Sequence, residues 1–424
     1  MPTPGLFADL GWRGLVHQAT DPALAGLFDG EQVTGYVGFD PTSDSLTIGN
    51  LLGITLLARI QKAGHRPIAL AGGGTGLIGD PGGKSEERPL LTTGQLEHNL
   101  AGIRTQLERF LDFGPGQARL VDNREWLGQL GLIDFLRDIG KHFTVNAMVA
   151  KDSVRSRFEG REQGISFTEF SYMLLQAYDF QHLFDAYGCR VQAGGSDQWG
   201  NITAGIDLIR RRRGETAYGF THPLVTKPDG TKFGKSETGT IWLDRERTSP
   251  YAMFQFFLRS EDSVVGDYLR YYTFRTREEI EALDRETAEH PGRRAAPRAL
   301  AYDVVAMVHG EDEARRSERA SEVLFSEAIA ELDEATLLGV LADAPSTDIA
   351  RSEVGEVEVV DLLVRTGLET SRGRARTTIE QGGASINNRK VASPDARLEA
   401  SDLLHGRYAV LRKGKASQHL LRIT

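Results

Sequence analysis

Tyr36, Gly38 and Asp40 stand at alternate positions of the run VTGYVGFDP, which reads as a strand, so the three share one face. Gly38 leaves room for a ligand beside the backbone. The helix that follows starts near Thr47-Ile48-Gly49-Asn50. Its first amides and positive dipole end suit phosphates, and Gly49 permits close approach. Further on, Tyr172, Gln176 and Asp179 recur at i, i+4 and i+7 as one helical stripe, opposite Phe170, Met173, Leu174 and Ala177. That stripe lacks the Lys and Glu of a solvated face and can bond a zwitterion and a hydroxyl. In QAGGSDQWGN (192–201) paired glycines, among them Gly195, allow close approach, and Asp197 is placed to accept from ribose hydroxyls beside Gln198. Lys232 and Lys235 lie three apart on a glycine-bearing loop, which can bring cations over a polyphosphate. Lys84 and Arg88 add cations to a second glycine-rich loop beginning near Asp80. Each stretch alone has a plainer reading: a turn with a core tyrosine, a wet polar stripe, a capped strand-to-helix loop, a surface hairpin.

The elements that must position these residues follow from periodicity. Residues 33–39 and 66–72 read as strands around a buried helix from about Thr47 to Ala63, a βαβ unit with parallel pairing. The pattern recurs as a helix over 167–187, a strand over 189–193 and a helix over 197–213, which predicts an α/β domain with a mostly parallel sheet and ligands at the strands' carboxyl ends. Four arginines, 210–213, end that last helix, where a dipole partner and an RNA contact are both open readings. Residues 250–343 have helical texture, 345–356 (PSTDIARSEVGE) read as a polar linker, and 357–424 as a small α+β module. Two glycine motifs are set aside. GTGLIG (74–79) is followed by a turn instead of the helix that a dinucleotide fingerprint requires. GDPGGKS (79–85) is one residue short of a P-loop.

At 424 residues the chain suggests two or three domains, and 40% hydrophobic with 26% charged residues excludes a largely disordered chain. No apolar run reaches the roughly 18 residues of a membrane span, and the first twenty residues do not read as a signal peptide. A single cysteine, Cys189, excludes an internal disulfide and a multi-cysteine zinc site. The expectation is a cytoplasmic protein. The net charge is −9, yet from Gly355 to Thr424 twelve Lys and Arg outnumber eight Asp and Glu. A mildly basic tail on an acidic body points an anionic partner, if there is one, to the tail, against the plainer reading of solvated charge.

Taken together, GFDPTSDSL, GLIGDP, SFTEFSYMLLQAYDF, GGSDQWGN and DGTKFGKS resemble the bacterial tyrosyl-tRNA synthetases, class I aminoacyl-tRNA synthetases, in order and spacing from about Trp12 to Thr424. The tail resembles an S4-type RNA-binding domain. The resemblance implies a Rossmann-like catalytic domain over 1–247, a helical tRNA-binding domain over 248–344, a linker over 345–356 and an S4-like domain over 357–424. It implies L-tyrosine, ATP with Mg²⁺ and tRNA(Tyr) as substrates, no protein-bound cofactor and a homodimer. Tyr36 and Asp179 would bond the phenol; Tyr172, Gln176 and Asp80 the α-amino group; Gly38, Asp40, Gly49, Gly195, Asp197 and Gln198 the adenylate; Lys84, Arg88, Lys232 and Lys235 the phosphates.

The chain departs from the family where His-Ile-Gly-His is usual and Thr47-Ile48-Gly49-Asn50 stands instead. Removing such a donor outright costs about 3–4 kcal/mol, but a hydroxyl and an amide remain. Arg372, Arg374 and Arg376 ahead of a helix, and Arg412, Lys413 and Lys415 on a terminal turn, are the expected tRNA contacts. Three rivals are a tryptophan enzyme of the same class, an adenylyltransferase and a non-catalytic RNA-binding protein. The tyrosine pocket speaks against the first, the tail against the second and the lysine loop against the third.

Overall fold

β-rich and helix-rich stretches alternate as their apolar periods require. In the computed structural model, residues 5–80, 91–151, 155, 165–226, 233–236, 239–324, 326–341, 344–414 and 417–424 are described, with only the backbone at 235 and 236. The described chain forms two units, Met1–Thr248 with Ser260–Leu300, and Ser249–Arg259 with Ala301–Thr424.

The first unit is built on six strands: β1 (Gln18–Ala19), β2 (Thr34–Phe39), β3 (Arg66–Ala71), β4 (Arg119–Asp122), β5 (Cys189–Gly195) and β6 (Tyr218–His222). Their order is β1-β6-β5-β2-β3-β4, parallel throughout except for β1 at the edge. The chain runs outward from β2 through β3 to β4, then returns to β5 on the other side of β2. That reversal makes the carboxyl ends of β2 and β5 the switch point where open α/β sheets bind ligands. A short ribbon, β7 (Lys235–Ser236) and β8 (Gly239–Thr240), follows.

Three helices aim the site. Ile48–Lys62 is buried along almost its whole length, from Ile48 to Ile60, as its unbroken apolar run demands. It ends at Gly64, whose φ of +86° is the left-handed cap that glycine supplies. Phe167–Tyr187 is capped by the Ser166 side chain, which accepts from the Glu169 amide, and stopped by left-handed Gly188. Its Met173, Leu174 and Ala177 pack with Ala204 and Leu208 of the helix Trp199–Arg213, which leaves Tyr172, Gln176 and Asp179 to the cleft. Thr75–Leu77 is only a single 3-10 turn, in keeping with rejection of the dinucleotide motif.

The second unit pairs helices Pro250–Leu258, Glu311–Val323 and Glu334–Val340 with a five-stranded sheet: β9 (Ser346–Ile349), β10 (Ala384–Ile386), β11 (Arg389–Lys390), β12 (Tyr408–Lys413) and β13 (Ser417–Ile423), in the order β11-β10-β12-β13-β9. The boundaries differ from the expected ones. Residues 345–356 are no free linker. Ser346–Ile349 pairs in parallel with β13 and buries Ile349 completely, and an edge strand needs so few apolar residues that it reads as polar. The stretch 248–344 is not one helical body either. Leu324, Ile329, Leu337 and Leu341 share a core with Leu404, Tyr408, Val410 and Leu420, while Ser260–Leu300 belongs with the first unit. Helices Val359–Arg365 and Arg372–Glu380 cover the other face of the C-terminal sheet through Leu362, Leu363, Ala375 and Ile379.

Candidate active site

A cavity of about 310 Å³ opens at the carboxyl ends of β2, β3 and β5. Tyr36, Gly38, Asp40, Gly49, Asn50, Asp80, Tyr172, Gln176, Asp179, Gly195, Asp197 and Gln198 all line it. Gly38 is the one exposed residue of β2, so its missing side chain keeps the cleft floor open. Lys84, Arg88 and Lys232 lie outside the described residues, and of Lys235 only the backbone, in β7, is described.

At the deep end, Asp179 is 1% exposed. Its Oδ1 accepts from Trp126 Nε1 at 2.7 Å and its Oδ2 from Asn123 Nδ2 at 2.8 Å. Burial raises its carboxyl to about 7, helped by the charges of Asp40 and Asp122 and opposed by those two donors. The Tyr36 hydroxyl is fully buried with no hydrogen-bond partner among the described residues. Burial, with Asp179 and Cys189 nearby, holds that phenol well above its ordinary range, so it stays protonated. A buried hydroxyl left without a partner is costly, and a second hydroxyl entering beside it relieves the cost. The Gln192 Oε1 atom, on the cavity wall, likewise has no partner among the described residues.

Midway, Tyr172 donates its hydroxyl proton to Asp40 Oδ2 at 2.8 Å, and Thr75 Oγ1 donates to Asp40 Oδ1 at 2.9 Å. With its proton committed, Tyr172 Oη faces the cavity as an acceptor, which suits an ammonium. Asp40 approaches so closely that a Cβ on Gly72 would stand 2.2 Å from its Oδ1. An amide chain continues: Asn201 Nδ2 donates to Gln176 Oε1 at 2.9 Å, Gln176 Nε2 to Gln198 Oε1 at 3.2 Å, and Gln198 Nε2 to Asp80 Oδ2 at 2.7 Å.

At the outer end is the helix start. Thr47 does not line the cavity. Its N–H and its hydroxyl both donate to Asn50 Oδ1, at 3.0 and 2.9 Å. The carboxamide oxygen is thereby taken, and the Asn50 NH₂ is turned outward as the donor. The two residues that replace the usual histidines therefore act as a pair, with one presented and one holding it.

Four aspartates line the cavity and, among its described lining residues, no lysine or arginine does. Such a wall suits an ammonium and ribose hydroxyls; countercharge for a polyphosphate must come from elsewhere. Among the described residues no three His, Cys, Asp or Glu side chains converge on a metal site.

Sequence reasoning missed Thr75, Asn123, Trp126, Gln192 and His222, all on the cavity or holding its residues. Asn123 and Trp126 follow β4, a strand not identified from the sequence. His222 ends β6 and is buried, which pushes its imidazole pKa down, against a contact to the Pro223 carbonyl.

The family model for class I tRNA synthetases of the W and Y group matches residues 29–326, and that for the C-terminal domain of SYY-like tyrosine–tRNA ligases matches 337–421. The chain belongs to the tyrosyl-tRNA synthetase family. This synthetase is 54% identical over 419 residues to the tyrosine–tRNA ligase of Roseiflexus castenholzii, with 98% of each chain covered. To that of Bacillus caldotenax it is 53% identical over 421 residues, covering 98% of this chain and 99% of the other. Among solved structures, a C-terminally truncated mitochondrial tyrosyl-tRNA synthetase from Aspergillus nidulans aligns with a TM-score of 0.69 at 32% identity, over 76% of this synthetase and 95% of that chain. A Plasmodium falciparum tryptophanyl-tRNA synthetase, at 13% identity and a TM-score of 0.53, shares the fold alone.

Proposed function

We infer that this synthetase is a tyrosine–tRNA ligase: it activates L-tyrosine with ATP, releases pyrophosphate and transfers the tyrosyl group to the 3′ ribose of tRNA. The observation that carries the tyrosine reading is the Tyr36 hydroxyl, which has no partner among the described residues, beside the ionisable Asp179 at the deep end of the cavity. A phenol there gives the Tyr36 hydroxyl a partner, whereas phenylalanine would leave it stranded. Discrimination of about 10⁵ by such groups is a general figure for this family.

The proposed roles follow the cavity from its floor outward. Tyr36 and Asp179 hold the phenol. Tyr172 Oη, Gln176 and Asp80 hold the ammonium, and Asp40 keeps Tyr172 turned. Asp197 takes the ribose, with Gln198, Gly38, Gly49 and Gly195 along the adenylate. Asn50, oriented by Thr47, with Lys84, Arg88, Lys232 and Lys235, meets the phosphates. The substrate carboxylate is already an anion, so the side chains need only align it with the α-phosphate and offset charge growing on the leaving oxygens. Mg²⁺ would accompany ATP and neutralise phosphate charge.

The second unit would hold tRNA, which retains the proposal of a helical tRNA-binding portion and an S4-like portion, in a cytoplasmic enzyme. Its cations are less available than the sequence implies. Arg372 lies inside a helix and pairs with Glu358 and Asp361, Arg376 pairs with Asp395, and Lys413 with Glu369. Arg412 is buried in β12 and not on a turn; Lys415 lies outside the described residues. Arg210–Arg213 are committed to Asp207, the His142 carbonyl, Gln181 and Asp185, which favours the structural reading over an RNA contact. A homodimer is proposed through the face bearing Leu132, Ile133, Leu136 and Val145, large apolar side chains that are 48–71% exposed.

The deciding experiment is amino-acid-dependent exchange of labelled pyrophosphate into ATP without tRNA. Exchange with tyrosine and not with phenylalanine or tryptophan is expected. Equal exchange with phenylalanine would overturn the pocket assignment.

A further inference from the structure

Tyr268, on the helix Val265–Tyr272, lies in none of the motifs and is 4% exposed. Its hydroxyl donates to the Thr226 carbonyl at 3.1 Å. Its ring lies 4.5 Å from that of Phe233, which also stacks on Tyr272 at 5.6 Å and 20°. Thr226 and Phe233 flank residues 227–232, and the Phe233 amide donates to the Val225 carbonyl at 3.1 Å. One buried tyrosine thus holds both stems of the lysine-bearing segment, one through its ring and one through its hydroxyl.

These stems are joined to the helix start that faces the phosphates. Gly234 has φ of +87°, and a Cβ there would lie 2.3 Å from Ile48 Cγ2. Only glycine allows that backbone to rest on the first turn of the helix. The Gly234 carbonyl accepts from the Ile241 amide at 2.8 Å, and the Ile241 carbonyl accepts from the Ile48 amide at 3.0 Å. The Leu243 amide donates to the Leu46 carbonyl at 2.9 Å. The far end of the shelf is tied to the same helix, because Arg59 donates to the carbonyls of Arg270 and Thr273. Helix start, lysine-segment stems and aromatic shelf form one hydrogen-bonded frame.

We propose that Tyr268 is a positioning residue for tyrosine activation: it fixes the stems at Thr226 and Phe233 relative to the Ile48–Asn50 helix start. The proposal rests on the reading that the lysine-bearing segment serves the activation step. Tyrosine binding draws on β2 and the Phe167–Tyr187 helix, so the two effects separate. A displacement of about 1 Å in a reacting constellation costs up to about 100-fold; loss of one hydroxyl should cost less.

The test compares Tyr268→Phe, Phe233→Leu and their combination with the full-length enzyme, with Lys235→Ala as a control. Adenylate formation is followed by rapid quench at varied ATP, and tyrosine affinity by equilibrium dialysis. Tyr268→Phe, which keeps the ring, is expected to slow adenylate formation about 3- to 10-fold with the tyrosine dissociation constant unchanged. The double variant should lose less than the product of the single losses. An unchanged rate in Tyr268→Phe, or a parallel loss of tyrosine affinity, overturns the proposal. A wild-type rate in Lys235→Ala overturns instead the reading on which it rests.

Discussion

Asp179 shows how much one side chain's surroundings decide. Its carboxyl is held near 7 by burial, against an ordinary value of 3.8, so the fold favours the protonated form. Stability contributed by that form is full below pH 3.8 and is lost as pH rises to about 7. Between pH 5 and pH 8 the ligand-free wild type should therefore lose about 2–3 kcal/mol relative to Asp179→Asn. Urea unfolding followed by tryptophan fluorescence measures it, and equal pH slopes in the two proteins would refute it. At pH 8, where the carboxyl is ionised, the same variant deprives the phenol of an anionic acceptor. A hydrogen bond to a charged group is worth about 1.5–3 kcal/mol, so tyrosine should bind about 10- to 100-fold more weakly, by equilibrium dialysis. The stripe Tyr172-Gln176-Asp179 was legible because helical period and an absence of Lys and Glu mark it out. Asn123 and Trp126 were not, because what makes them matter is a contact with Asp179 across more than fifty positions of chain.

At the scale of elements, the Ile48–Lys62 helix has its first turn organised by Thr47 and Asn50 acting together. Thr47→Val removes the hydroxyl and leaves the backbone bond, so the Asn50 amide loses half of what holds its orientation. The expected outcome is about a 3- to 10-fold slower adenylate formation, a part of the full cost of a lost donor, with tyrosine affinity unchanged. Single-turnover quench separates the two, and an unaltered rate would return Thr47 to a purely capping role. Strands β2, β3 and β5 and the three helices beside this site followed from apolar runs and glycine stops, whereas β4 and β6 did not. The edge strand Ser346–Ile349 did not, since one buried isoleucine among polar residues carries no period.

At the scale of the molecule, a cut after Ala344 would divide a core. Leu324, Ile329, Leu337 and Leu341 would lose Leu404, Tyr408, Val410 and Leu420. Such a truncated chain is expected to keep tyrosine-dependent pyrophosphate exchange, lose tRNA charging and bind hydrophobic dye, all measurable on one preparation; full charging would refute the role given to the second unit. Ile133→Asp should convert a dimer to a monomer in sedimentation velocity, and an unchanged coefficient would move the interface elsewhere. Domain borders were the least legible feature, because the chain leaves the first unit at Ser249 and re-enters it at Ser260. That re-entry bears on synthesis. Elongation proceeds at roughly 5–20 residues per second, and Tyr268 follows Thr226 by forty-two positions. A chain still being translated carries its amino-acid pocket for seconds before the brace on its lysine segment exists, so ribosome-bound intermediates should bind tyrosine before they activate it at the full rate.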